Sequence, residues 1–267
     1  MKAHSNDGRD ATEDITRILK HWSYDENDAI RRITTPGGRD VLQVRLPLGI
    51  EQYELDGRPD GTRPRSQESW LHVYRRRARR CARRHSPNFT LTERDVERLY
   101  EEGLLFYYRY LRFFQMQEYR LCARDTRRNI RLLEFVSTFG SEKQAEQLEQ
   151  YRPYILRMNF MSRALWRLQT DNNIRAALRI INKGIAAVEE LPTLEDNQVF
   201  EFEKVRSLQS LSDLHRQLNE HLPVPRDVQL KRDMGEAVEA EDYERAARLR
   251  DALQRLEHRR ERRKKKT

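Results

Sequence analysis

The chain reads as a mainly α protein: a helical bundle with a small N-terminal β-hairpin element and a C-terminal antiparallel helical hairpin. Three observations predict this. Apolar residues recur at helical spacing over most of residues 66–222. Alternation of the strand type is confined to residues 40–56, between turns containing glycine and proline. The segment LKRDMGEAVEAEDYERAARLRDALQRL, from Leu230 to Leu256, carries two short apolar stripes separated by a polar break.

Residues 1–11 read as disordered, and Asp14 to Leu19 as a short helical start. The stretch from Asp28 to Ile33 fits either a weak helix or the beginning of a strand. Thr35-Pro36-Gly37-Gly38 is a turn signal. After it, Leu42, Val44 and Leu46 alternate with Gln43 and Arg45, which predicts a half-buried strand. Ile50 to Leu55 can return as a second strand, and Asp56-Gly57 with Pro59-Asp60-Gly61 closes the unit. Such a hairpin or three-stranded piece is marginal alone, so it is expected to pack on the helix that follows, about Gln67 to Arg84. There Trp70, Tyr74, Ala78 and Cys81 share a stripe, arginine covers the rest, and Pro87 ends the helix.

Thr92-Glu93-Arg94-Asp95 resembles a helix start, with Thr92 as cap and acidic residues in the first turn. The helix runs through Val96, Leu99, Tyr107, Tyr110 and Phe114 and can continue to Phe139, with Gly140-Ser141 as its stop. Aromatic residues at 106, 107, 108, 110, 113, 114 and 119, interleaved with Arg109, Arg112 and Arg120, could stack bases. Because they go nearly all round the helix, they are read as core packing. Further helices fit residues 142–169, 172–190 and 197–222, and Ala164 to Leu191 has the small-residue rhythm of a helix–turn–helix repeat. Pro223 and Pro225 mark a linker that predicts an accessible C-terminal hairpin. The expected domains are therefore residues 1–65, 66–222, the linker 223–227, the hairpin 228–261 and a basic tail 262–267.

In the hairpin, Leu230, Met234, Ala237 and Val238 share the first face. Tyr243, Ala246, Ala247, Leu249, Leu253 and Leu256 form the second, with Asp242 as the N-cap of the second helix. A hairpin this small cannot bury all its apolar surface by itself and needs a partner. The order Met234, Ala237-Val238, Glu241-Asp242-Tyr243-Glu244, Ala246-Ala247, Leu249-Arg250-Asp251, Leu253 resembles the UVR, or UvrB/UvrC, motif. In that family the hairpin links the helicase and incision subunits of bacterial nucleotide excision repair. It also occurs in Clp-type ATPases and in a zinc-binding activator of a bacterial arginine kinase. The resemblance implies a protein–protein interaction module. Its partner would be another such hairpin, from a second copy in a homodimer or from an AAA+ or repair protein, and the contacting residues would be those of the two stripes.

Charged residues make up 36% and hydrophobic ones 37% of the 267, with a formal charge of +9. No apolar run approaches the ~20 residues a membrane helix needs. The N-terminus lacks an apolar signal region, and Cys81 and Cys122 lie far apart, so a cytoplasmic location is expected. Positive charge concentrates in Arg75, Arg76, Arg79, Arg80, Arg83 and Arg84, and again in the tail with Arg262, Arg263 and Lys264. Such runs attract DNA or RNA phosphates or acidic surfaces, or serve simply as solvated faces. The sequence holds no P-loop, no G-x-S-x-G elbow and no H-E-x-x-H, and its histidines have no ligand spacing. It therefore predicts no catalytic residues, no metal ligands and no cofactor. The expectation is a non-enzymatic adaptor in DNA repair or a stress- or proteolysis-linked machine, with nucleic-acid binding by the two basic runs as the alternative.

Overall fold

The computed structural model describes residues 15–84, 89–192, 194, 197–221, 226–239 and 242–264, with the backbone alone at 226–228, 246 and 257–264. The expectations for residues 1–11, for Pro87, for Pro223 and Pro225 and for the end of the tail fall outside these residues. By internal packing the chain divides into two units, residues up to Gln217 and residues from Leu218.

Turn chemistry sets the N-terminal sheet. Gly38 takes a φ of +77°, a conformation that glycine adopts without steric cost, and Gly38 N–H donates to Thr35 O at 2.9 Å. This closes strand β1 (Ile30–Thr34) onto β2 (Asp40–Leu46); β3 (Gly49–Glu54) follows, giving an antiparallel sheet of order β1-β2-β3 with Leu42 opposite Tyr53. The ambiguous stretch before the turn is thus a strand, entered from a 3₁₀ turn at Glu26–Asp28.

The expected half-buried alternation of β2 needs correction, because Gln43 and Arg45 are buried as well as Leu42 and Val44. The helix α1 (Thr16–His21) leads into Trp22, whose carbonyl accepts from Arg45 Nε at 2.7 Å. Arg31 lies 3.8 Å over the Trp22 ring and donates to Gln43, which in turn donates to Gln52 at 2.9 Å. The polar side of the sheet is buried because its groups bond one another and the segment before β1.

The arginine-rich helix is α2 (Trp70–Arg83), and Ser69 caps it by accepting from His72 N–H at 3.2 Å. Next come α3 (Glu93–Gln115) and α4 (Tyr119–Phe139), where a single long helix to Phe139 was one expectation. The break falls at Gln117, with φ +59°, and Glu118 N–H reaches back to Phe113 O at 2.8 Å. The two arms fold together and bury a bidentate pair: Arg109 donates to Asp125 at 2.7 and 3.1 Å, with both side chains 1% exposed. The third donor of Arg109 reaches Glu54 O at 2.6 Å, tying the sheet to α3. Glu102 of α3 accepts from Trp70 N–H at 2.7 Å and Leu71 N–H at 3.2 Å, so its carboxylate sits at the N-terminus of α2, with Arg128 bonded to it. These bonds position α2 on the body.

The stretch 142–169 also divides, into α5 (Glu142–Glu149) and α6 (Arg152–Asp171), with Pro153 in the first turn of α6, where its missing N–H costs nothing. Asn172, with φ +46°, ends α6, and Asn173 caps α7 (Ile174–Glu189) by accepting from Ala176 N–H at 2.9 Å. The α6–α7 pair fits the helix–turn–helix rhythm of its sequence. Its Ala164, Ala177 and Ile181 are fully buried, and Gly184 lets α7 approach Phe160 so closely that a Cβ there would lie 2.7 Å from the Phe160 ring. The last helix of this region is α8 (Gln198–Glu220).

Two apolar clusters form the core of the body. One joins α2, α3, α4 and α5 around Tyr74, Leu99 and Val136, and the other joins the sheet to α3, α4 and α6 around Leu42, Tyr110 and Phe113. The aromatic run of α3 contributes chiefly to these clusters, although Tyr108 remains exposed. Cys122 lies inside the second, where burial pushes its thiol up to about 12. Among the described residues, no helix is long and apolar enough to cross a membrane.

Candidate functional site: the C-terminal hairpin and the arginine face of α2

Helices α9 (Arg226–Glu239) and α10 (Tyr243–Lys264) pack on each other across a short connection. Asp242 terminates the connection twice over. Its N–H donates to Ala237 O at 2.8 Å, and its carboxylate accepts from Arg245 N–H at 2.9 Å, capping α10. Glu244 adds negative charge in the first turn, where the helix dipole favours it.

The apolar stripes of the hairpin are covered unequally. Ala237 is fully buried, while Leu230, Met234, Ala247, Leu249, Leu253 and Leu256 are half-buried. Val238 and Tyr243, on either side of the connection, are 50% and 68% exposed. Of the stripe residues, the side chain of Ala246 lies outside the described set. The outward faces carry helix-spaced ion pairs, Arg232 with Glu236 at 3.4 Å and Arg248 with Glu244 at 3.5 Å. Such exposed pairs add little stability. The backbone of α10 continues through Arg262, Arg263 and Lys264, whose side chains are not among those described.

The second candidate surface lies on α2. Leu71, Val73, Tyr74 and Ala78 face inward, and Arg75, Arg76, Arg79, Arg80, Arg83 and Arg84 are all exposed. Among the described residues their side chains form no hydrogen bond and no ion pair. Beside them runs a groove of about 640 Å³, lined by Arg75, Arg79, Phe89, Phe135, Phe139 and the Gly140 backbone. Its floor is aromatic: Phe89 meets Phe139 edge-on at 5.4 Å between centroids, and Phe135 lies 4.8 Å from Phe139. The bond from Leu91 N–H to Phe139 O at 2.8 Å holds the two strips of chain together. The arginines were visible in the sequence; the groove was not, because its floor joins residue 89 to residues 135–140.

Among the described residues, no cluster of histidine, cysteine, aspartate and glutamate is placed to hold a metal ion. Two surfaces stand out among the described residues: a partly exposed apolar stripe on α9–α10 and a cationic face on α2.

Comparison with known proteins bears on the first of them. Residues 228–259 match the family model of the UvrB/uvrC motif, which spans nearly all of α9 and the greater part of α10. UVR motifs are non-catalytic and are known to mediate protein–protein interactions, and the match suggests a protein-interaction or repair-associated domain at residues 228–259. No curated protein and no solved structure matches the chain.

Proposed function

We propose that this protein is a non-enzymatic adaptor whose α9–α10 hairpin docks a second hairpin of the same kind, on another copy or on a protein of a repair or proteolysis-linked machine. The observation that carries this reading is the open stripe on a segment that matches an interaction motif. Two helices have formed and packed, the second capped by Asp242, and Leu230, Met234, Leu249 and Leu253 still keep part of their surface in water. Burying such residues against a partner gains about 25 cal/mol per Å² of apolar area removed from water. A second hairpin offers a stripe of matching length, and alanines such as Ala237 and Ala247 let helices approach closely.

Val238 and Tyr243 are the residues to change, because they are exposed and the hairpin does not depend on them to pack. Val238→Glu with Tyr243→Glu places charge in the docked surface, where an unpaired carboxylate is costly to desolvate. Light scattering across a concentration series reads self-association. Cross-linking followed by mass spectrometry reads which residues of a heterologous partner lie against 228–259. The double variant should remain helical by circular dichroism and lose the contact. A contact that persists at wild-type strength in the double variant contradicts the reading.

A further inference from the structure

We propose that the groove beside α2 binds single-stranded nucleic acid, with a base packed against the Phe89 ring, which meets Phe139 edge-on, and the phosphates along the arginines. The proposal is separate from the hairpin reading.

The first argument is how densely unpaired arginine is set here. The covered arginines Arg109, Arg124, Arg128, Arg152 and Arg157 are matched to Asp125, Asp56, Glu102, Glu149 and Glu203. Exposed arginines such as Arg120, Arg127 and Arg131 are without a carboxylate partner among the described residues, and between Arg75 and Arg84 six such arginines lie within ten residues. At ~100° per residue, Arg75 and Arg79 stand toward the groove and Arg83, Arg76 and Arg80 continue the strip around the helix. Concentrated, unneutralised positive charge of this kind selects an extended polyanion, and guanidinium groups match phosphate geometry.

The second argument is the groove itself. A polyanion without flat apolar parts, such as an acidic peptide, uses the arginines and leaves the phenylalanines wet. A nucleotide uses both, because bases stack on aromatic side chains regardless of their identity. In a duplex the bases are stacked on one another and cannot reach the floor, so the ligand is single-stranded. The rise from Arg75 to Arg84 is ~14 Å, the length of about four stacked nucleotides. Arg77 reinforces the floor, with its guanidinium 5.7 Å from the Phe89 ring centroid.

The test uses the full chain and a short labelled oligothymidine, followed by fluorescence anisotropy over a salt series. Binding should weaken by orders of magnitude between low and moderate salt. Arg75→Gln with Arg79→Gln should lower the salt slope by about two, since each arginine gives up one phosphate contact. Phe89→Leu should weaken binding about tenfold, and Phe89→Tyr, which keeps a ring, should restore it. An oligonucleotide of abasic sites should bind more weakly than oligothymidine, and so should a duplex of equal length. The exposed arginine pair can be changed without touching the core, so it decides the matter even where Phe89→Leu fails to fold. An unchanged salt slope in the arginine pair overturns the proposal. So does equal affinity for the duplex, or binding that vanishes only when the chain is truncated after Leu256. Val238→Glu with Tyr243→Glu should leave oligothymidine binding intact, which separates failure here from failure of the hairpin reading.

Discussion

The chain contains two helical hairpins built from similar materials with different outcomes. In α6–α7, Ala164, Ala177 and Ile181 are fully buried and Gly184 presses against Phe160, so its inner face is complete. In α9–α10, of the stripe residues described, Ala237 is fully buried, the leucines are half-covered, and Val238 and Tyr243 face water. Alanine and leucine at helical spacing do not by themselves say whether a face is closed. What differs is supply: α6 also packs on α4, so the first hairpin belongs to a core of several layers. The two hairpins thus differ in how far their apolar faces are covered, and the uncovered face is the one proposed to dock a partner.

Two pairs of substitutions sharpen this contrast. The larger effect belongs to Ile181→Ala, which leaves a cavity in a closed face and should cost about 2–5 kcal/mol. Tryptophan fluorescence in urea is the readout, because Trp22, Trp70 and Trp166 all precede the second unit. The same truncation at Leu249, already half in water, should cost roughly 1 kcal/mol of local stability in α10. Equal costs at the two sites would erase the distinction between the hairpins.

The smaller effect changes sign between them. Gly184→Ala places a methyl group against the Phe160 ring and should destabilise by about 1–3 kcal/mol. Gly235→Ala meets nothing within 4 Å and should stabilise α9 by about 0.5–1 kcal/mol, because alanine loses less backbone freedom than glycine in a helix. Hydrogen exchange of the α7 and α9 amides reads both. Destabilisation of α9 by Gly235→Ala would mean that its outer surface is already occupied.

The contrast also separates what was legible in the sequence from what was not. Local devices were legible. Thr92 caps α3 as expected, with Asp95 completing a capping box, and Asp242 caps the second helix of the hairpin. The C-terminal hairpin is itself local, so its stripes and its family resemblance could be read without any distant contact. Features made by distant contacts were hidden. Nothing in Met116-Gln117-Glu118 announces a break, since it holds neither glycine nor proline; the packing of α3 on α4 imposes the positive φ of Gln117. Gln43 and Arg45 looked solvent-facing because the residues that satisfy them, Trp22, Arg31 and Gln52, lie on other elements. The aromatic floor beside α2 was invisible for the same reason.

Site-specific photocross-linking can show whether the partly exposed face of α9–α10 docks a partner, as proposed. A benzophenone side chain at Tyr243, exposed and already aromatic, reports what touches the open hairpin. The same group at Trp166 of α6, 41% exposed, reports on the closed one. Position 243 should cross-link to a helical hairpin, on a second copy or another protein, in a product that disappears with Val238→Glu, and position 166 should give none. If position 243 yields no cross-linked species, or the same species as position 166, the hairpin is not the docking surface.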